Sequence, residues 1–230
     1  MTTLKYDIIR SNRKKTATID VVDGIVRVRV PHELSQDKIN GLITKKLYWI
    51  KKRVSEQSSV QTTYNRELVS GSPISYLGKR YKLKRSVDHS KNISMQAGYI
   101  VAKTGKNLSE CDTEALIRRN LVDWYTDKAR IYLNRRSKYW ASKMGVSYSS
   151  ISIKNYRSKW GDCNSIQGIS YNWRIMFAPQ SVIDYVVVHE LCHLTHMNHS
   201  KEFWALVTKY CPNWKEKRLW LKEHSRALDV

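Results

Sequence analysis

Long apolar runs are missing from this 230-residue chain. No stretch reaches the about 18 apolar residues that a membrane-spanning helix needs, which excludes a membrane partner. The opening Met1–Asp7 has no apolar signal segment, and no repeat or low-complexity segment is present. A chain of this length can bury a core as one compact domain or as two lobes. We therefore expect a cytoplasmic protein.

Cysteine is scarce, and its spacing excludes two kinds of site. The four cysteines lie far apart and form no C-x-x-C pair: Cys111, Cys163, Cys192 and Cys211. This spacing argues against both a disulfide framework and a zinc site built from cysteine. We expect buried thiols in a reducing cytosol, with Cys192 a small packed residue rather than a metal ligand.

Acidic residues are about half as common as basic ones. The 20 Asp and Glu stand against 41 Lys and Arg, so the net charge is +21 and the pI is about 9.9. Such a charge attracts anions and favours nucleic acid, nucleotides or acidic proteins as partners. No sequence-recognition motif is present, so we expect any contact with nucleic acid or nucleotides to be non-specific. The basic clusters lie mostly outside 151–199, at 10–15, 45–46, 51–53, 79–85, 118–119 and 135–138.

Histidine, by contrast, is concentrated near the end of the chain, where five of the seven lie at or after residue 189. His189 and His193 flank Glu190 in an H-E-x-x-H pattern. Helical residues four apart share one face, so the two imidazoles can bind one metal ion together. Glu190 can then reach a metal-bound water as a general base. Two imidazoles and one further ligand leave a coordination position for water, which is typical of catalytic Zn²⁺.

The third ligand has three candidates: His196, His199 and Glu202. On an unbroken helix, His189, His193 and His196 would spread over two turns, too far to converge on one ion. Residues 197–200 (Met-Asn-His-Ser) offer a turn, since Asn tolerates the left-handed conformation and Ser200 suits a helix N-cap. This argument favours His199 and leaves the other two open.

The surrounding sequence resembles a known family. The stretches 156–163, 169–174, 182–193 and 198–204 (YRSKWGDC, ISYNWR, VIDYVVVHELCH and NHSKEFW) closely resemble the YgjP-like metallopeptidases, and more distantly SprT-like zinc proteases. The close match covers about residues 150–225. The resemblance implies a zincin-type fold, with His189, His193 and His199 as ligands and Glu190 as the base. Asp162 departs from the Ser that members often carry. The family also carries a nucleoside triphosphate pyrophosphatase label.

The expected fold class is α+β, with a basic β-rich N-terminal part leading into a zincin-like catalytic domain. Gly71-Ser72-Pro73 is the predicted boundary, which gives regions 1–72 and 73–230. In the first region we expect strands at 4–10, 16–22 and 25–30, with a hairpin turn at Asp23-Gly24, and a helix over 35–57. In the second we expect strands at 74–87, 92–102, 150–156 and 169–175. Helices are predicted at 109–144, from 180, and at 201–209 and 214–224.

The function predicted from these features is zinc-dependent hydrolysis of a peptide or protein substrate. Strand 169–175 is expected to hold the peptide by edge pairing, while Tyr185, Asn172 and Arg157 are candidates for stabilising the oxyanion. One alternative is metal-dependent hydrolysis of a nucleoside triphosphate such as UTP, although a glycine-rich phosphate loop is missing. Another is a nucleic-acid-associated protein with a structural zinc site, against which the intact Glu190 argues.

Overall fold

The computed structural model describes residues 6–12, 16–22, 25–64, 67–88 and 92–225. Over these residues the protein has the predicted α+β composition, with ten strands in three sheets and five α-helices. The chain divides into two compact units, residues 1–66 and 67–230. None of the helices in the described ranges is long and apolar enough to cross a membrane.

The first unit is a three-stranded sheet with one helix. Strands β1 (Tyr6–Ser11), β2 (Thr18–Val22) and β3 (Ile25–Pro31) lie in the order β1-β3-β2. The turn predicted at Asp23-Gly24 lies outside the described residues. Helix α1 (Gln36–Tyr64) runs past the predicted end at 57, and residues 58–64 contain no Gly or Pro that would stop it. The unit has its own core of aliphatic side chains: Val26, Val28, Val30, Ile39, Ile43 and Ile50.

The second unit begins with a four-stranded sheet in the order β4-β5-β7-β6. Its strands are β4 (Pro73–Tyr76), β5 (Lys79–Val87), β6 (Ile93–Gln96) and β7 (Tyr99–Thr104). The predicted strands 74–87 and 92–102 are each divided by a hairpin turn, at Leu77-Gly78 and Ala97-Gly98, and all four of these residues have positive φ. This is the backbone that two-residue hairpins favour.

The long helix α2 (Glu110–Met144) covers one face of this sheet and has well-defined ends. The Ser109 side chain accepts a hydrogen bond from the Asp112 N–H (3.1 Å), and Gly145 closes the helix with φ of 69°. Both caps are the residue types that these positions prefer. The helix predicted over 109–144 is confirmed.

The remaining elements form the C-terminal part of the second unit. They are β8 (Ser150–Lys154), β9 (Gly161–Cys163), β10 (Gly168–Asn172), a 3-10 helix (Trp173–Phe177), α3 (Gln180–Cys192), α4 (Lys201–Tyr210) and α5 (Trp214–His224). Strand β10 lies between β8 and β9. It ends earlier than predicted because the Asn172 side chain accepts a hydrogen bond from the Arg174 N–H and begins the 3-10 helix.

Two contacts hold helix α3 in place. The Arg136 guanidinium on α2 donates to both carboxylate oxygens of Asp184, at 2.6 and 2.8 Å. Just before α3, the backbone of the β4–β5 turn docks on the 3-10 helix. The Leu77 N–H donates to the Met176 carbonyl (2.7 Å) and the Gly78 N–H to the Phe177 carbonyl (3.3 Å). The helix that carries the H-E-x-x-H pattern is thus anchored at its beginning and along its length.

Candidate metal centre

Three histidines converge where α3 ends. His189 lies in the last turn of α3, and His193 is the residue that caps its C-terminus. The chain then turns, and α4 begins after Ser200, whose side chain accepts a hydrogen bond from the Phe203 N–H. The break in the helix arrives before the predicted 197–200 turn, directly after His193. It carries His199 back beside His189.

The three imidazoles present their nitrogens to a common point. One ring nitrogen from each of His189, His193 and His199 lies within 4.8 Å of the others. The Nε2 atoms of His189 and His199 are 3.1 Å apart. Two nitrogens bound at about 2.0–2.1 Å to one tetrahedral ion would be separated by about 3.4 Å. The donor set therefore fits a tetrahedral metal ion that keeps one position for a non-protein ligand.

His196 and Glu202, the other candidates for third ligand, do not join this cluster. His196 contributes its backbone carbonyl instead, which accepts a hydrogen bond from His193 Nδ1 at 3.0 Å. That bond leaves Nε2 of His193 free to coordinate. Glu202 is exposed, and its carboxylate accepts a hydrogen bond from the Ser200 hydroxyl (2.6 Å).

Helix α4 supplies the aromatic packing around the histidines. The Phe203 ring is fully buried, and its centroid lies 5.0, 4.6 and 4.7 Å from those of His189, His193 and His199. Trp204 stacks on His199, with ring centroids 5.6 Å apart. Sequence reasoning used these two aromatics only as part of the family resemblance. Their positions four and five residues after His199, on the first turn of a helix, were the available signal.

Two of the imidazoles are held in their neutral form. Burial, together with the neighbouring His193, His199 and Arg218, lowers the pKa of His189 to about 3. Burial also lowers the pKa of His193. Neutral imidazole is the form that binds a metal. Within the described ranges, His189 Nδ1 is buried without a hydrogen-bond partner, so no protein acceptor fixes its tautomer as His196 does for His193.

Glu190 lies beside the cluster and is 5% exposed. Burial, with a contribution from the nearby Asp162 and against the opposing effect of Lys159, raises its pKa to about 8. Lys159 and Asp162 themselves form an ion pair at 2.7 Å. A carboxylate in such a position can exchange a proton near neutral pH.

Gly161 on β9 makes room for this carboxylate. A β-carbon at position 161 would lie 2.6 Å from Cδ and from Cγ of Glu190, and nearer still to Oε1. Only glycine fits at position 161 while the Glu190 side chain keeps its orientation. A contact between residues so far apart in sequence leaves no signal in a local pattern, so it could not be predicted.

Strand β9 is the edge of its sheet, and this corrects the expected substrate strand. Strand β10 pairs with β8 along its whole length and with β9 over 169–171, so it has no free edge for a peptide. The Asn164 N–H donates to the Gly168 carbonyl and the Asn172 N–H to the Trp160 carbonyl. Because antiparallel pairs alternate between bonded and non-bonded, Gly161 and Cys163 direct their N–H and C=O groups away from β10.

The oxyanion candidates have different surroundings. The Asn172 amide donates to the Tyr156 and Lys159 carbonyls at 2.9 and 3.1 Å, so it holds the loop before β9. Arg157 is exposed. Tyr185 lies one turn before His189, with ring centroids 5.9 Å apart, and burial raises its pKa to about 12. Tyr185 is therefore the candidate that the fold places next to the histidines.

The cysteines take no part in the histidine cluster. All four are free thiols, as expected, but they are not all buried. Cys192 is buried, Cys163 and Cys211 are half-buried, and Cys111 is exposed. The prediction of four buried thiols is wrong for Cys111, because that residue lies in the first turn of α2 near the helix end.

Comparison with known proteins gives the family. No curated protein sequence matches the chain significantly. The crystal structure of the metallopeptidase zymogen of Pyrococcus abyssi abylysin is similar to 41% of this chain and 96% of its own length, with 19% identity and a TM-score of 0.38. The family profile described as "YgjP-like, metallopeptidase domain" matches residues 15–224. This match spans nearly the whole sequence and confirms the resemblance, and the chain belongs to the YgjP-like metallopeptidase family.

Proposed function

We propose that this protein is a zinc-dependent metallopeptidase in which His189, His193 and His199 hold the ion and Glu190 is the general base. The observation that carries the proposal is the convergence of three imidazoles, within 4.8 Å, beside a buried carboxylate. A structural zinc site needs four protein ligands and no base. Here three donors and one adjacent carboxylate match the catalytic pattern.

The residues around the ion have different roles in peptide-bond hydrolysis. When bound, zinc supplies Lewis acidity, which polarises a carbonyl and lowers the pKa of a coordinated water to about 7. Glu190 takes a proton from the attacking water and returns it to the leaving amine. Gly161 lets the carboxylate stay in that position, and Tyr185 is the side chain we assign to the oxyanion.

The free edge of β9 is the place where an extended peptide can bind. Gly161 and Cys163 direct their backbone N–H and C=O groups outward, so a substrate strand can add to the sheet. Because Gly161 also touches Glu190, a peptide on this edge runs past the base. Nothing in the described residues favours nucleoside triphosphate hydrolysis over this arrangement, and we propose only peptide cleavage.

The first test compares the parent protein with Glu190→Gln. We expect one zinc per chain in both by elemental analysis. We also expect cleavage of an unbiased peptide mixture by the parent alone, since loss of a general base typically costs roughly 10²–10⁴-fold. UTP is assayed on the same batch. Equal peptide cleavage by both proteins, or hydrolysis of UTP without any peptide cleavage, would overturn the proposal.

The third ligand is tested with a matched pair of histidine variants. His199→Ala should lose zinc during dialysis against a weak chelator, whereas His196→Ala should retain it. The reason is that His196 contributes a backbone carbonyl, which the alanine variant keeps. The reverse order of zinc loss would show that His196, not His199, completes the site.

A further inference from the structure

The outer face of the β4–β7 sheet carries a straight row of cations. Arg80, Lys82 and Lys84 alternate along β5 with residues of the opposite face, and all three are exposed. Leu83, between two of them, is 1% exposed and points into the core. Because alternate side chains of a strand share a face, the three cations point outward together. They are spaced at about 6.6 Å along the strand.

These three cations have no protein partner among the described residues. The ion pairs and cation–π contacts of the described ranges include none of them. Arg85 differs, since it lies on the other face, pairs with Glu110 and donates to the Leu68 carbonyl. The basic run at 79–85 thus separates into a row that faces solvent and an arginine that stabilises the fold.

The rest of this face carries an aromatic ring and Lys103, whose charge is paired with Asp88 at 2.8 Å. No residue of the four strands β4–β7 is acidic. On the neighbouring strands Arg80 is paired with Ser75, Lys82 with Pro73 and Tyr99, and Lys84 with Val101. Tyr99, directly beside Lys82, is 43% exposed. Positive charge in a line and an accessible aromatic ring therefore meet on one flat surface.

We propose that this sheet face binds single-stranded nucleic acid. Arg80, Lys82 and Lys84 contact phosphates along one strand, and the Tyr99 ring stacks on an unpaired base. A charged track with aromatic stacking platforms is the arrangement that binds single strands without sequence preference. A duplex is a poorer fit, because reading its major groove takes a protruding helix or two-stranded ribbon rather than a flat sheet. An acidic protein would supply charge but no base for Tyr99.

The binding test is a fluorescence anisotropy titration of the full chain with labelled oligothymidylate across several salt concentrations. We expect the logarithm of the association constant to fall linearly with the logarithm of salt concentration. The triple variant Arg80→Gln/Lys82→Gln/Lys84→Gln should flatten this slope by about 2, since each single-strand phosphate contact contributes about 0.7. Its thermal unfolding midpoint should match that of the parent, because the three exposed side chains form no ion pair within the described residues.

A matched triple variant controls for net charge. Lys45→Gln/Lys46→Gln/Lys52→Gln removes three exposed lysines from α1 and leaves the sheet intact. We expect this control to change the slope by much less than the sheet variant. An equal change in both variants would mean that the protein's overall charge attracts the strand, and the proposed face would be rejected.

Variants of Tyr99 distinguish binding of nucleic acid from binding of other polyanions. Tyr99→Ala should weaken oligothymidylate binding by about tenfold at constant salt slope, because stacking is lost while the charges stay. Tyr99→Phe should retain the affinity. If Tyr99→Ala binds as the parent does, or if a duplex or polyglutamate competes as well as the single strand, the single-strand proposal is wrong.

Discussion

At the scale of single residues, Gly161 controls the position of Glu190. Gly161→Ala should leave zinc content unchanged but reduce peptide cleavage by about 100-fold, because a misplacement near 1 Å can cost this much in rate. The clash is with the side chain of the base, while the histidines are untouched. Gly41→Ala is the matched control, since a β-carbon there meets nothing within 4 Å.

A double variant distinguishes displacement of the Glu190 side chain from a general loss of structure. In Gly161→Ala/Glu190→Ala the side-chain atoms that the new methyl group would meet are gone. Gly161→Ala should lower the free energy of unfolding of the parent but not that of Glu190→Ala. Additive effects of the two substitutions on the free energy of unfolding would show that Gly161 acts on something other than Glu190.

The buried carboxylate of Glu190 also makes stability depend on pH. Burial raises its pKa from 4.5 to about 8. Between these values the folded metal-free protein holds a proton that the unfolded chain releases, so the free energy of unfolding falls as pH rises. Glu190→Gln removes this titration. The metal-free variant should therefore exceed the metal-free parent in stability at pH 8, on a scale of about 1.4 kcal/mol per pKa unit.

This difference should nearly vanish at pH 5, where Glu190 is protonated in the folded protein. Urea denaturation in chelator at both pH values measures it. A stability gain of the same size at pH 5 and pH 8 would mean that the substitution acts through packing rather than through charge.

At the scale of elements, the Arg136–Asp184 pair ties α2 to α3. Both side chains are 17% exposed and the pair is bidentate. Asp184→Asn leaves the half-buried guanidinium without its counter-charge and should lower the free energy of unfolding by about 2 kcal/mol. Asp127→Asn breaks the exposed Arg130–Asp127 pair and should change it by less than about 0.5 kcal/mol. Equal effects in urea denaturation would contradict this assignment.

Elements with local signals could be predicted from the sequence. Ser109, Gly145 and Ser200 act as the helix ends that their residue types suggest. Strand β9 was missed because it has three residues, Gly161–Cys163, and depends on pairing with β10. The central place of β10 was missed for the same reason, since strand order is a long-range property.

The site residues show the same difference between features with a local signal and features that depend on long-range packing. His189, Glu190 and His193 follow from spacing on one helix, and His199 from the need for a turn. The contact of Tyr185 with His189 also follows from spacing on one helix. The contact of Gly161 with Glu190 depends on how elements pack, and the His193–His196 hydrogen bond depends on where α3 ends. The local sequence pattern thus identifies the metal-binding residues, and packing determines how they are oriented.

At the scale of the whole molecule, we propose that the second unit folds independently from residue 67 rather than from 73. Leu68 is 3% exposed in its core, and the Gly71 N–H donates to the Leu83 carbonyl (2.8 Å). A fragment over 67–230 should unfold cooperatively and bind zinc. A fragment over 73–230 should be less stable by about 3 kcal/mol, roughly the cost of removing a buried leucine.

Urea denaturation and zinc titration of the two fragments test this boundary. The 73–230 fragment keeps every histidine of the cluster, so it should still bind zinc where it is folded. Equal stability of the two fragments would place the boundary near Gly71-Ser72-Pro73, as the sequence pattern suggests.

The docking of the β4–β5 turn on the 3-10 helix just before α3 has a consequence for mutational tolerance. Leu77 and Gly78 contact Met176 and Phe177 through backbone atoms, which every residue type except proline provides. Position 78 is restricted all the same, because φ is 76° and a β-carbon would lie 2.8 Å from the Pro179 Cα. In a saturation library selected for zinc retention, glycine should be enriched at 78 while 77 accepts several residues. Position 78, in a hairpin far from the histidines in sequence, would then rank among the least variable positions of the chain.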